Sequence, residues 1–404
     1  MLVATSIVVP LSAQEKPADN DISQEIVSYQ AQFFERYQPN SALDMLRQIP
    51  GFQIDDGGNK RGFGAAAGNI LINDRYPSAK QEKPSNILER IPASQVRQID
   101  LIRGQVRGID LRGQSVVASI LLHDDIPATA RWDLSIRKNF EHTPVTVRSS
   151  ISLADKWHGL EYNAGLLLRR FRSGELGGEN VVDSGGVLTE ARLEDSFLRG
   201  DEGNVSLNVL TWAGSTLLNF NSQFAFEKRS ESLEAITAPQ APGDQDEDFF
   251  VDDSDKSEVE IGADAERSLS PDLLAKTILL YTRSEDDART AQDRFDSGGA
   301  AILFRQADSN VVQSEAIARL EFDWAGWQSH ALKFDVETAR NVIDSELTQA
   351  VDTGSGPVVV PVPGGNTRVE ESRFDVLLND TWFRGAFELD YGLGAEWSTI
   401  RQSG

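Results

Sequence analysis

Three phrases decide the fold: residues 41–52, SALDMLRQIPGF; residues 69–77, NILINDRYP; and residues 88–104, LERIPASQVRQIDLIRG. In the first, Asn40 or Ser41 is a suitable N-cap, and Leu43, Leu46 and Ile49 recur at helical spacing until Pro50 and Gly51 close the segment. This predicts a helix of about two to three turns, followed by an extended stretch from Phe52. Ile70, Leu71 and Ile72 read as a buried strand, and Asn73 with Asp74 supplies a turn before Arg75. A second helix is expected over Ser85 to Arg90, broken by Pro92, before Val96, Ile99, Leu101 and Ile102 lead into Arg103 and Gly104. Two helices and two strands in so short a span make a small α+β unit.

Working outward, the glycines 57, 58, 62, 64 and 68 form a loop with few side chains. Neither GxxxxGK nor GxGxxG spacing is present, which argues against a phosphate cradle. From Ala130 the pattern changes to alternation. Trp132, Leu134 and Ile136 interleave with Arg131, Asp133 and Ser135, and Leu218, Phe220, Phe224 and Phe226 interleave with mostly polar residues. Leu320, Phe322 and Trp324, then Leu332, Phe334 and Val336, then Phe387, Leu389, Tyr391 and Leu393 repeat the scheme. Period two suits a transmembrane barrel, with apolar residues toward lipid, and equally suits a soluble antiparallel sandwich. Alternation alone does not separate them.

The three phrases resemble the plug domain of TonB-dependent outer-membrane receptors. An LxxxPG phrase is matched by Leu46, Pro50 and Gly51, and a liDG phrase by Leu71 to Asp74. An IPxxxVxxIxxIRG phrase is matched by Ile91, Pro92, Val96, Ile99, Ile102, Arg103 and Gly104. Asn73-Asp74 replaces the commoner Asp-Gly, Asp100 a usual Glu, and SVVASILL from Ser115 the usual GGVINI, departures that bear on ligand identity more than on membership. The resemblance implies a plug over residues 39–125, preceded by a coupling segment and first plug strand at 19–38, and followed by an antiparallel transmembrane β-barrel over 126–404. Within 19–38, Glu25, Ile26, Val27, Ser28 and Tyr29 form a β-prone run where TonB could add a strand, although an ordinary first strand reads slightly better. The plug phrases are assigned to structure, with Arg103 a candidate to pair with barrel-wall carboxylates.

Twelve or thirteen strands are expected between Ala130 and Gly404. Plugged outer-membrane transporters use about 22, so a C-terminally truncated barrel is expected, with a complete smaller barrel as the competing reading. At the other end residues 2–11 are apolar, and Leu11-Ser12-Ala13 before QEKPADN resembles a cleavage site, which favours a shortened signal peptide within 1–18. No run of about 18 apolar residues supplies a transmembrane helix.

The 404 residues carry 39 Lys and Arg against 63 Asp and Glu, a net charge of −24, which argues against general nucleic-acid binding. With no cysteine, a disulfide framework and a thiol nucleophile are both excluded. His123, His142, His158 and His330 are scattered without a metal or triad spacing. DSGG at Asp183 and again at Asp296 reads as hairpin turns, and the carboxylate-rich stretch from Ala238 to Glu258 as a solvated acidic loop lacking EF-hand spacing. Residues 352–366 read as an ordered excursion between turns. The expected protein is no enzyme and needs no cofactor or metal. It is an outer-membrane receptor for uptake of a siderophore, cobalamin or glycan, with TonB, membrane lipid and that substrate as partners. A non-transporting signalling or adhesion barrel and a secreted soluble β-rich protein are the alternatives.

Overall fold

The computed structural model describes residues 26–56, 68–77, 83–103, 114–123, 128–138, 145–239, 246–352, 354–384 and 387–404. Residues 1–18, Glu25, the glycines from 57 to 64, Gly104 and His142 lie outside them.

The first unit runs β1 (Ile26–Gln30), α1 (Ala31–Phe34), α2 (Ala42–Leu46), β2 (Ile70–Ile72), α3 (Pro84–Arg90), β3 (Val96–Arg103) and β4 (Val116–Leu122). Its sheet has the order β1-β3-β4-β2, with β2 parallel to β4 and the other pairs antiparallel. Phe34, Met45, Leu46, Ile70, Leu88, Ile99 and Ile120 close its core. Ser41 caps α2 with a reciprocal capping box, its Oγ accepting from the Asp44 amide while Asp44 accepts from the Ser41 amide. The helix is shorter than its periodicity predicts. Gln48 and Ile49 bond three residues back, to Met45 and Leu46, because Ile49 precedes Pro50 and is driven out of the helical region. Gly51, at φ +71°, completes the turn. Helix α3 starts one residue earlier than expected, on Pro84, and Ser85 is no cap. Its amide and hydroxyl instead donate to Asp56, each at 2.9 Å.

Twelve antiparallel strands follow in one sheet. They are β5 (Thr129–Arg137), β6 (Thr146–Trp157), β7 (Leu160–Val182), β8 (Leu188–Ala213), β9 (Thr216–Pro239) and β10 (Asp246–Ser270). Then come β11 (Leu273–Phe295), β12 (Ala301–Trp324), β13 (His330–Asp352), β14 (Val358–Val360), β15 (Thr367–Arg384) and β16 (Phe387–Ser403). Neighbours pair in chain order from β5 to β16, with the short β14 on β13, and the sheet is open, since β5 and β16 do not pair. The strand number agrees with the sequence reading, as do the DSGG turns. Asp183 accepts from the amides of Gly185 and Val187, and Asp296 from those of Gly298 and Ala300. The acidic loop expected up to Glu258 is corrected: Asp246 onward is strand, paired in continuous register with β9 and β11. Polar residues on both faces hid it, because no alternation of hydropathy marks a strand wet on both sides.

The faces of this sheet are inverted relative to a soluble one. Leu218, Phe220, Phe224, Phe226, Ile261, Leu279, Tyr281 and Leu320 are exposed, whereas Glu260, Asp264, Glu321, Asp335, Glu337, Glu371 and Arg373 are buried on the opposite face. The exposed apolar residues form a band beside the short turns. In β9 it runs from Leu218 to Phe226, and Lys228 follows. The band slants across the hydrogen-bonded rows. Leu168 in β7 shares a row with Gly203, Phe226, Ser257, Glu285, Val312 and Asp344, yet the band ends at Tyr281 in β11 and Val336 in β13. At about 3.4 Å per residue and 4.8 Å per strand, the strands tilt about 40° from the band normal, the inclination of barrel strands in membranes.

Candidate plug and wall interface

The tight turn of the second phrase aims a cation at the sheet. Asn73 and Asp74 both have positive φ, 49° and 62°, as a two-residue hairpin loop between Ile72 and Arg75 requires. Asn73 accepts from the Leu122 amide at 2.9 Å and Asp74 from the Ser119 hydroxyl at 2.7 Å, which fastens the turn to β4. Arg75 then projects onto β10 and pairs with Glu266 at 3.2 Å. The end of α3 makes the second attachment. Glu89 pairs with Arg148 of β6 at 3.1 Å, and its carbonyl accepts from Arg131 of β5 at 2.8 Å. Gln95 donates to Thr129 at 3.2 Å. The ion pairs are partly exposed and each contributes on the order of 1 kcal/mol or less, so they orient the unit more than they fix it.

Between these attachments lies a cavity of about 170 Å³. On one side are Asn73, Arg75, Tyr76, Arg90 and Ile91, and on the other Tyr162, Asn163, Asn208, Asn219, Asn221, Asp264 and Lys276. Asn163, Asn208 and Asn221 lie in one row of the sheet, and Asn208 donates to Asn219 at 3.0 Å. Farther around the same face, Arg319 meets Glu321 at 2.7 Å and Asp335 at 2.9 Å, while Arg373 meets Glu337 at 2.6 Å and Asp375 at 2.7 Å. Ions this deep are tolerated only where each has an oppositely charged neighbour. Alternation located this face without distinguishing it from a solvent-exposed one.

The residues singled out from the sequence fall into two groups. Leu46 is fully buried, Ile91 lies in the same core, and the Ile91 carbonyl accepts from Ala42 while Pro92 forms a bridge with Ser41. Pro50, Gly51, Asn73 and Asp74 make turns. Arg103 is exposed at the end of β3 and pairs with no described carboxylate, and Arg75 makes an ion pair with the wall. Ile26, Val27, Ser28 and Tyr29 form an edge strand whose one described neighbour is β3. Arg75, Glu89 and Arg148 escaped the sequence reading because isolated charges on a charged chain carry no spacing signal.

Comparison with known proteins follows this geometry. Residues 18–118 match the TonB-dependent Receptor Plug Domain family model. Among solved structures, the ferric citrate transporter FecA in unliganded form is similar at 9% identity and a TM-score of 0.34, over 92% of this chain and 69% of that one. The ferric yersiniabactin uptake receptor FyuA from Yersinia pestis gives 10% and 0.31, over 93% and 72%. The siderophore receptor PirA from Pseudomonas aeruginosa gives 10% and 0.23, over 94% and 92%. No curated protein sequence matches the chain. The family model thus covers the first quarter of the chain, and a large antiparallel sheet, against which this first unit packs, makes up most of the rest.

Proposed function

We propose that the chain acts in the bacterial outer membrane as a receptor for energy-coupled uptake of a scarce substrate, of the siderophore, cobalamin or glycan class. The single observation that carries this reading is the inverted sheet. Phe220, Phe224, Leu279 and Leu320 face outward, and charged residues face the side on which the plug sits. A soluble sandwich would bury the first set and expose the second. No described helix is long and apolar enough to cross a membrane.

In this reading the plug gates the wall through weak attachments. Arg75 with Glu266 and Glu89 with Arg148 can part at small cost, while the hydrophobic plug core holds together. TonB, engaging the segment that contains Glu25, Ile26, Val27, Ser28 and Tyr29, biases the plug between two arrangements, and substrate bound from the opposite side biases it too. An edge strand suits such engagement because its free side can accept another strand.

Expression in a receptor-deficient Gram-negative strain tests both parts. The outer-membrane fraction should contain the chain, and recovery in the soluble periplasm would overturn the membrane reading. Deleting residues 21–29 should abolish energy-dependent uptake of a substrate that the intact protein carries. Unchanged uptake would remove the coupling role, whereas an intact membrane protein that takes up none of these substrates would favour signalling or adhesion.

A further inference from the structure

Helix α3 ends on an arginine that has a seat in the wall. Arg90 lies across Gly165 of β7, where a Cβ would fall 2.5 Å from Arg90 Cδ, 3.2 Å from Arg90 Nε and 2.8 Å from the Ser206 hydroxyl. The first of these is closer than a Cβ sits to any heavy atom, so a larger residue at 165 would displace Arg90. Gly165 is not among the glycines with positive φ and lies inside a strand, so it is the approach of Arg90, and no turn, that calls for glycine. The Glu89–Arg148 pair and the bond from Arg131 to the Glu89 carbonyl hold the same helix end against the wall.

Beside this seat are acceptors without donors. Gly165 shares a row with Ser206 and Gln223, and the next row toward the short turns is Asn163, Asn208 and Asn221. Ser206 and Asn221 are 4% and 6% exposed, and Ser206 Oγ, Asn221 Oδ1 and Gln223 Oε1 have no hydrogen-bond partner among the described residues. A buried oxygen left without a donor is unfavourable and needs a reason. A guanidinium is its complement, since it carries only donors in a planar fork. Arg90 and Asn221 line the 170 Å³ cavity from its two sides, plug and wall, which leaves the arginine room to cross. Of the other cations there, Arg75 is held by Glu266 and Lys276 belongs to the wall itself.

Resting on the gating reading above, we infer that Arg90 is a two-position latch between plug and wall. It lies over Gly165 while the plug is seated, and donates to Asn221 across the cavity, with Ser206 and Gln223 beside its path, when the plug shifts. The wall groups at both positions are neutral, which sets the latch apart from the salt-screened pairs of Arg75 and Glu89. The chain has no cysteine, so Asn86→Cys on the exposed side of α3 and Ser215→Cys in the exposed β8–β9 turn would carry two spin labels. Double electron–electron resonance on the purified full chain in detergent then reads the distance between plug and wall. The wild type should show one main distance, with a second at about 10% or less. Gly165→Ala should make the second distance the main one, displaced by about 5 Å, one strand spacing. Adding Arg90→Ala should restore the first, because the shortened side chain clears the new Cβ, whereas a chain merely misfolded by Gly165→Ala would not recover. Adding Asn221→Leu to Gly165→Ala should instead remove the second distance. The proposal is overturned if Gly165→Ala leaves the distance unchanged, if Arg90→Ala fails to restore it, or if Asn221→Leu leaves the second distance in place. A wild type with no defined distance would instead overturn the packing of plug on wall, and with it the gating reading.

Discussion

Asp183, Asp296 and Asp352 do the same work at the ends of long strands, each carboxylate collecting amides of the turn that follows it. The amides of Gly354, Gly356 and Ser355 hold the Asp352 carboxyl below the usual carboxylate range, Gly354 most strongly. A depressed value in the folded state means that the turn is supported above the unfolded value and loses that support as pH falls through the folded one. The protection of amides 354–356, relative to the intrinsic exchange rate at each pH, should therefore fall only below the ordinary carboxylate range, and Asp352→Ala should abolish that change in protection. Deeper in the sheet, Arg373 bridges Glu337 and Asp375 with its side chain only 6% exposed. Replacing it by Met strips half-buried Asp375 of its cation and leaves buried Glu337 with only Arg319, at 3.5 Å. Urea unfolding in detergent should show a loss of about 3 kcal/mol or more, whereas Arg368→Met, on a half-exposed pair, should cost under about 1 kcal/mol.

At the scale of elements, α2 is too short to persist on its own, so its cap and its packing carry it. Ser41 is 1% exposed and closes both arms of the capping box. Ser41→Ala should destabilise the plug by about 1 kcal/mol in chemical denaturation, with Ser41→Asp recovering most of it. In the sheet, β8 passes under the ring of Phe226 at Gly203. A Cβ there would lie 2.3 Å from that ring. Gly203→Val should therefore displace the aromatic from its cross-strand neighbour, which near-ultraviolet circular dichroism and a lowered melting temperature would report.

For the whole molecule, the inverted sheet and the slanting band make one statement about the solvent. If strands of about 40° tilt meet lipid across nine or ten residues, then Phe224→Arg, between the middle of the band and its upper edge, should cost about 2 kcal/mol in bilayer folding. In a water-soluble sheet the same change at a residue already 47% exposed would be nearly neutral, so folding measured in vesicles separates the two cases. The plug belongs to the same scale. A double-mutant cycle between Arg75→Ala and Glu266→Gln should return a coupling of about 1 kcal/mol or less, a value compatible with a plug that moves.

The sequence by itself determined the plug and the presence of strands. Leu46, Pro50, Gly51, Ile91 and Pro92 fall in short phrases whose caps, turns and periodicities are local signals, although the short helices they mark persist only through packing. Alternation likewise named Phe220, Leu320 and Phe334 as one face of a sheet. Tertiary structure decided that this face is exposed, because an outward apolar face and a core impose the same period and only burial tells them apart. It decided that the carboxylate-rich run from Asp246 is strand, since its pairing partners lie on β9 and β11 rather than within itself. It also decided that Arg75 reaches the wall, because the direction of a single long side chain is set by a turn with two positive φ angles and by Glu266, 191 positions away.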